Sequence, residues 1–135
     1  MFTRSPWTHT FIVGPDDTAI EAWPGGVRSV PLATYRDGRR VAYSDDRVGD
    51  VQRGRIVAAA VALIGVGYDF LSLGLHTLRV LGAPVPVFGL PGTILCPQLV
   101  ILAGRAGGQD WTSGLPDALV TPMTLGRRLA WPRTA

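Results

Sequence analysis

Two runs of β-favouring residues open the chain, Thr8-His9-Thr10-Phe11-Ile12-Val13 and Thr18-Ala19-Ile20-Glu21-Ala22-Trp23. Gly14-Pro15-Asp16-Asp17 between them is turn chemistry, so the two read as an antiparallel hairpin. Pro24-Gly25-Gly26 ends the second run. Val27 to Val30 reads as a third strand stopped by Pro31, and Val41-Ala42-Tyr43 as a further one after the polar turn Arg36 to Arg40. From about Val48 the pattern changes. Val51 to Ile64 is alanine-rich, lacks proline and does not alternate, which predicts a helix that starts near Asp50 and stops at Gly65-Val66-Gly67. The leucine-rich stretch Phe70 to Leu81 also reads as helical, and Ala83 to Gly92 as a Pro/Gly-rich loop. Cys96-Pro97-Gln98 opens a strong helical run from Leu99 to Ala106, ended by Gly107-Gly108. Thr121-Pro122 pairs an N-cap with a first-turn proline for a terminal helix through Ala130.

Strands first and helices afterwards, with no repeat and no dividing linker, predict one α+β domain over residues 1–135, a small antiparallel sheet packed against helices. A chain of 135 residues that is 47% hydrophobic and 17% charged is large enough for a real core and too apolar for wholesale disorder. Ile56 to Leu75 has the length of a membrane span and one formal charge, Asp69. Gly65, Gly67 and Asp69 interrupt its second half and no aromatic belt frames it, so it reads as a buried helix followed by a loop. Those glycines are no dinucleotide fingerprint either, because Phe70 stands where the third glycine would be. Met1 to Thr10 lacks the charged-then-apolar pattern of an export signal, and the expectation is a chain that is cytoplasmic when made, with a virion as a further location.

Charge narrows the field a little further. All 13 basic residues are arginine, Glu21 is the sole glutamate, and the net charge of +3 is modest and scattered. No aromatic residues interleave Arg39-Arg40 or Arg127-Arg128, so neither pair reads as a specific nucleic-acid surface. A single cysteine excludes an internal disulfide framework and any multi-cysteine zinc site, and no metal or other cofactor is expected.

That cysteine is the first candidate for chemistry. With Pro97 in the first helical position, Cys96 falls at the N-cap, where free N–H groups and the helix dipole favour a thiolate. The bland alternative is a small buried hydrophobe. A thiolate nucleophile needs a base. His76 sits in the leucine-rich stretch and reads as a core-edge or surface residue. His9 has the better claim: a three-residue connection pairing Val13 with Asp17 runs the ladder back to set His9 opposite Glu21. Directly opposite side chains share a face of the sheet, so the carboxylate can hold one ring nitrogen and leave the other for a thiol.

The His9 strand, Ile20-Glu21-Ala22, Gly26-Val27, Gly65-Val66-Gly67-Tyr68-Asp69, Cys96-Pro97-Gln98-Leu99-Val100 and the helix begun by Pro122 follow one another over most of the chain. In this order they resemble the circularly permuted papain-like cysteine hydrolases. That group includes the bacterial YiiX-type proteins and lecithin:retinol acyltransferase, and it is related to NlpC-type cell-wall peptidases. The resemblance implies a permuted papain-like fold with Cys96 as nucleophile, His9 as base and Glu21 as the polar third member. It also implies Tyr68 as a second oxyanion donor or groove wall, whereas Asp69 reads as fixing the turn. Two departures stand out. Pro97 occupies a position where the family carries serine, and only eight residues precede His9 where the family has a further Gly-Asp strand.

The expected activity is therefore acyl transfer to water, the cleavage of an amide or peptide bond in peptidoglycan, in a phage particle or lysis module. Lipid-acyl or thioester substrates are the enzymatic alternative. The alternative from another class is a structural or interaction subunit, such as a phage tail component, that retains the fold and docks on the partner covering the missing strand. No membrane partner is expected.

Overall fold

The computed structural model describes residues 9–35, 41, 48–68, 79, 81–82, 93–112 and 114–129. Among them the fold is α+β, with a three-stranded antiparallel sheet and three α-helices. The sheet is a meander of β1 (Ile12–Gly14), β2 (Thr18–Trp23) and β3 (Gly26–Pro31), with β2 in the middle. A turn of 3-10 helix, Leu32–Tyr35, follows β3 directly. Then come α1 (Asp50–Ala62), β4 (Gly67–Tyr68), β5 (Thr93–Ile94), α2 (Cys96–Ala106), a 3-10 turn at Asp117–Leu119, and α3 (Pro122–Arg128).

The first hairpin turns through Pro15, Asp16 and Asp17, and both aspartates adopt left-handed backbone (φ 56° and 54°), a conformation their short polar side chains tolerate. The resulting register differs from the expected one. Gly14 pairs with Thr18, Val13 with Ala19 and Ile12 with Ile20, so Val13 does not face Asp17. His9 lies ahead of the paired residues, and extending the ladder to it would set it across from Trp23 with Glu21 on the diagonal. Gly14 belongs to the strand, so the turn begins one residue later and each pairing shifts by two. Because side chains alternate with period two, a shift of two leaves His9 and Glu21 on one face.

β2 is covered on both sides. Ile20 and Ala22 join the main core, while Ala19 packs with Leu32, Tyr35, Phe11, Val30 and Val41 on the opposite face. Glu21 alternates onto that second face and is fully buried there. α2 packs against both β2 and α1, and supplies the core with Leu99, Val100, Ile101 and Ala103. α1 contributes less, burying Ile56 and Ala60 and leaving most of its surface in solvent. Two glycines let neighbours approach α2. A Cβ on Gly104 would lie 2.6 Å from Trp111 Cε3, and one on Gly107 would lie 2.5 Å from Ile56 Cγ1.

The helix starts follow cap chemistry. At α3, Thr121 accepts from Thr124 N–H at 3.3 Å while Thr121 N–H donates to Thr124 Oγ1 at 2.9 Å, and Pro122 opens the first turn as expected. At α2 the N-cap is Leu95, whose N–H donates to Gln98 Oε1 at 2.9 Å. Cys96 is thus the first helical residue and Pro97 the second, one step inside the expected positions. β4 and β5 form a two-residue parallel pair too short to show alternation in the sequence. The expected strand at Val41-Ala42-Tyr43 beyond Val41, the Phe70 to Leu81 helix apart from 79 and 81, and the Ala83 to Gly92 loop lie outside the described residues. Among the described residues no helix is long and apolar enough to cross a membrane.

Candidate active site

Glu21 is the centre of a dense hydrogen-bonded cluster. Its side chain has no solvent exposure, and burying a carboxylate in this way is costly unless its oxygens are occupied. They are. His9 Nε2 donates to Oε2 at 2.6 Å and the Tyr35 hydroxyl donates to the same oxygen. On the other side Arg28 reaches Oε1 with Nε at 2.9 Å and with a terminal nitrogen at 2.8 Å. Four donors on two oxygens fill the acceptor capacity of an ionised carboxylate. Burial pushes the Glu21 carboxyl upward, but the bonds from His9, Tyr35 and Arg28 outweigh it and hold the group below its ordinary value.

The local structure explains each donor. Glu21 pairs directly with Arg28 across β2 and β3, a register set by the Pro24-Gly25 turn, and the guanidinium lies 4.4 Å over the Trp23 ring. Tyr35 ends the 3-10 turn that folds back under β2, and its ring stacks on Phe11 at 4.9 Å and on His9 at 5.9 Å. Trp23 meets the His9 ring edge-on at 6.1 Å. The imidazole is therefore walled by two aromatic rings and tethered through one nitrogen.

Because an ionised carboxylate can only accept, the proton of that tether is on Nε2, and Nδ1 is the nitrogen left for a second partner. The second partner of the ring is the Cys96 thiol, brought from the start of α2. Burial would lower the His9 pKa. The interactions with Cys96 and with Glu21 override it and raise the value from 6.5 to about 9. At neutral pH His9 is an imidazolium held between a thiol-bearing helix start and a buried carboxylate.

Glu21 from β2, Cys96 from the start of α2 and His9 from the chain just ahead of β1 thus come together, with His9 outside the strand expected to carry it and Cys96 at the first helical position instead of the cap. At that position its own N–H is among those with no acceptor inside the helix. The backbone of Tyr68 pairs with Ile94, two residues ahead of Cys96, which places β4 beside the strand that leads into α2. Asp69 and His76 lie outside the described residues. Sequence reasoning missed Tyr35 and Arg28. The Arg28 signal was available, since a two-residue turn at Pro24-Gly25 sets Arg28 opposite Glu21. Tyr35 gave none, because its role depends on how the chain folds back after Pro31.

No family model, curated protein or solved structure matches this chain.

Proposed function

We propose that this chain is a cysteine hydrolase of permuted papain-like architecture, with Cys96 as nucleophile, His9 as general base and acid, and Glu21 as the group that orients His9. The observation that carries the reading is one imidazole bonded on one side to a thiol at a helix start and on the other to a buried carboxylate. The remaining features agree with it. The raised His9 pKa favours an imidazolium beside a sulfur nucleophile, and the aromatic walls limit rotation of the ring.

In this mechanism the Cys96 proton resides on His9 Nδ1, and the thiolate adds to the carbonyl carbon of an amide. The oxyanion accepts from the Cys96 backbone N–H, and the resemblance assigns a second contact to Tyr68. Collapse breaks the C–N bond, the leaving amine takes the proton from His9, and the acyl group stays on sulfur as a thioester. Neutral His9 then removes a proton from water, whose oxygen attacks the thioester and releases the acid and the thiol. The substrate class that the resemblance favours is a peptidoglycan peptide, with a phage particle or lysis module as the setting. Lipid-acyl and thioester substrates use the same chemistry.

Cys96 is the sole thiol, so its alkylation by iodoacetamide reports on this site alone. The expected result is a rate at mildly acid pH that exceeds that of His9→Ala by ten-fold or more, at about pH 5–6, since a His-paired thiolate at a helix start forms well below the range of a free thiol. Cleavage of wall peptides, thioesters and lipid esters, each lost in Cys96→Ser, then sorts the substrate. Equal rates in wild type and His9→Ala would remove the hydrolase reading. The alternative from another class is an interaction subunit of a larger assembly. Slow alkylation together with stable self- or partner-association would favour it.

A further inference from the structure

We infer that Tyr35 and Arg28 are positioning residues of this site, which keep Glu21 ionised and fixed so that His9 continues to present its other nitrogen to Cys96 in acid. The inference rests on the hydrolase reading for its purpose, but its geometry is independent of any substrate.

The His9 tether works only while Glu21 is a carboxylate. A protonated Glu21 would still accept one bond but would no longer balance the imidazolium charge, and the thiolate–imidazolium pair would lose its support. Two of the groups facing Glu21 bear on this directly. Tyr35 donates to the very oxygen that His9 uses, and Arg28 saturates the other oxygen through two nitrogens. The remaining charged neighbour is His9 itself. Each support is in turn held from outside. Phe11 stacks on Tyr35, and the Trp23 ring lies under the Arg28 guanidinium. The carboxylate therefore cannot turn its two oxygens without giving up bonds on both sides, and the ring it holds cannot turn without giving up Glu21.

Glu21 is the sole glutamate, so glutamate labelled with carbon-13 at the side-chain carboxyl gives one signal to titrate in the full chain. Tyr35→Phe removes a hydroxyl and keeps the ring that stacks on His9 and Phe11. Arg28→Gln removes the charge, and Arg28→Lys restores charge without the two-nitrogen grip. A hydrogen bond to an ionised acceptor is worth about one pH unit or more of its titration. The expected result is a Glu21 midpoint about one pH unit or more higher in Tyr35→Phe and in Arg28→Gln, with Arg28→Lys between wild type and Arg28→Gln. Cys96 alkylation should weaken in acid along with that midpoint and be unchanged near neutrality. Midpoints that coincide with wild type in both variants would overturn the inference, and so would an alkylation rate lowered equally at every pH, which is the mark of a merely loosened fold. These outcomes are separable from failure of the hydrolase reading, which shows in His9→Ala and leaves the Glu21 titration of Tyr35→Phe and Arg28→Gln free to shift. Thermal unfolding monitored by near-ultraviolet circular dichroism shows that each variant is folded.

Discussion

Glu21 is the residue on which the rest of the cluster depends, and Glu21→Gln is its sharpest probe. An amide offers one acceptor oxygen and places an N–H₂ group where a second oxygen was, so either the His9 and Tyr35 side or the Arg28 side meets a donor with a donor. The loss of bonds to a buried charge should lower stability by about 1–3 kcal/mol, measured by urea unfolding. His9 should fall from about 9 part of the way toward 6.5, because its bond to Cys96 remains. Imidazole nuclear magnetic resonance resolves this, with His76→Gln distinguishing the two histidines. A His9 titration unchanged by Glu21→Gln would mean that Cys96 alone governs the ring.

Among the elements, α2 carries both Cys96 and the centre of the core, and it does so by letting bulky neighbours close in. Gly104→Ala gains about 1 kcal/mol of helix propensity but sets a methyl 2.6 Å from Trp111 Cε3. Overpacking of this kind costs about 1–3 kcal/mol, so the urea midpoint should fall or at best hold. A clear rise would show that Trp111 can swing aside freely. What was legible in the sequence at this scale follows from local physics. Runs of β-favouring residues bounded by Pro/Gly turns located β2 and β3 to within a residue, and the Thr121-Pro122 cap located the start of α3, because those signals are set by neighbouring residues. The register of β1 depended on where the turn began, and the left-handed pair Asp16-Asp17 moved it by two. The His9–Glu21 pairing survived because period-two alternation is blind to that shift. The 3-10 turn that delivers Tyr35 and the β4–β5 pair were illegible, since each is defined by a partner distant in the chain.

For the molecule as a whole, the two groups at the site bound its stability from opposite sides. His9 binds its proton more tightly in the folded state, so its contribution is complete below about 6.5 and is lost as the pH rises toward about 9. Glu21 is held below its ordinary 4.5, so its contribution is present above that value and is lost as pH falls through the folded one. Melting temperature should therefore form a plateau between roughly 4.5 and 6.5 and decline on the alkaline side. His9→Gln should flatten that alkaline decline, and a decline of equal slope in the variant would assign it to other groups. The meander has a consequence of a different kind. His9, Glu21, Arg28 and Tyr35 all belong to one short stretch whose contacts are local, whereas Cys96 arrives from the far side of the chain with α2. Local contacts close sooner than distant ones. A newly made chain can thus hold His9, Glu21, Arg28 and Tyr35 already assembled before Cys96 arrives beside them. The His9–Cys96 contact becomes the last part of the cluster acquired in folding, and its appearance times the docking of α2.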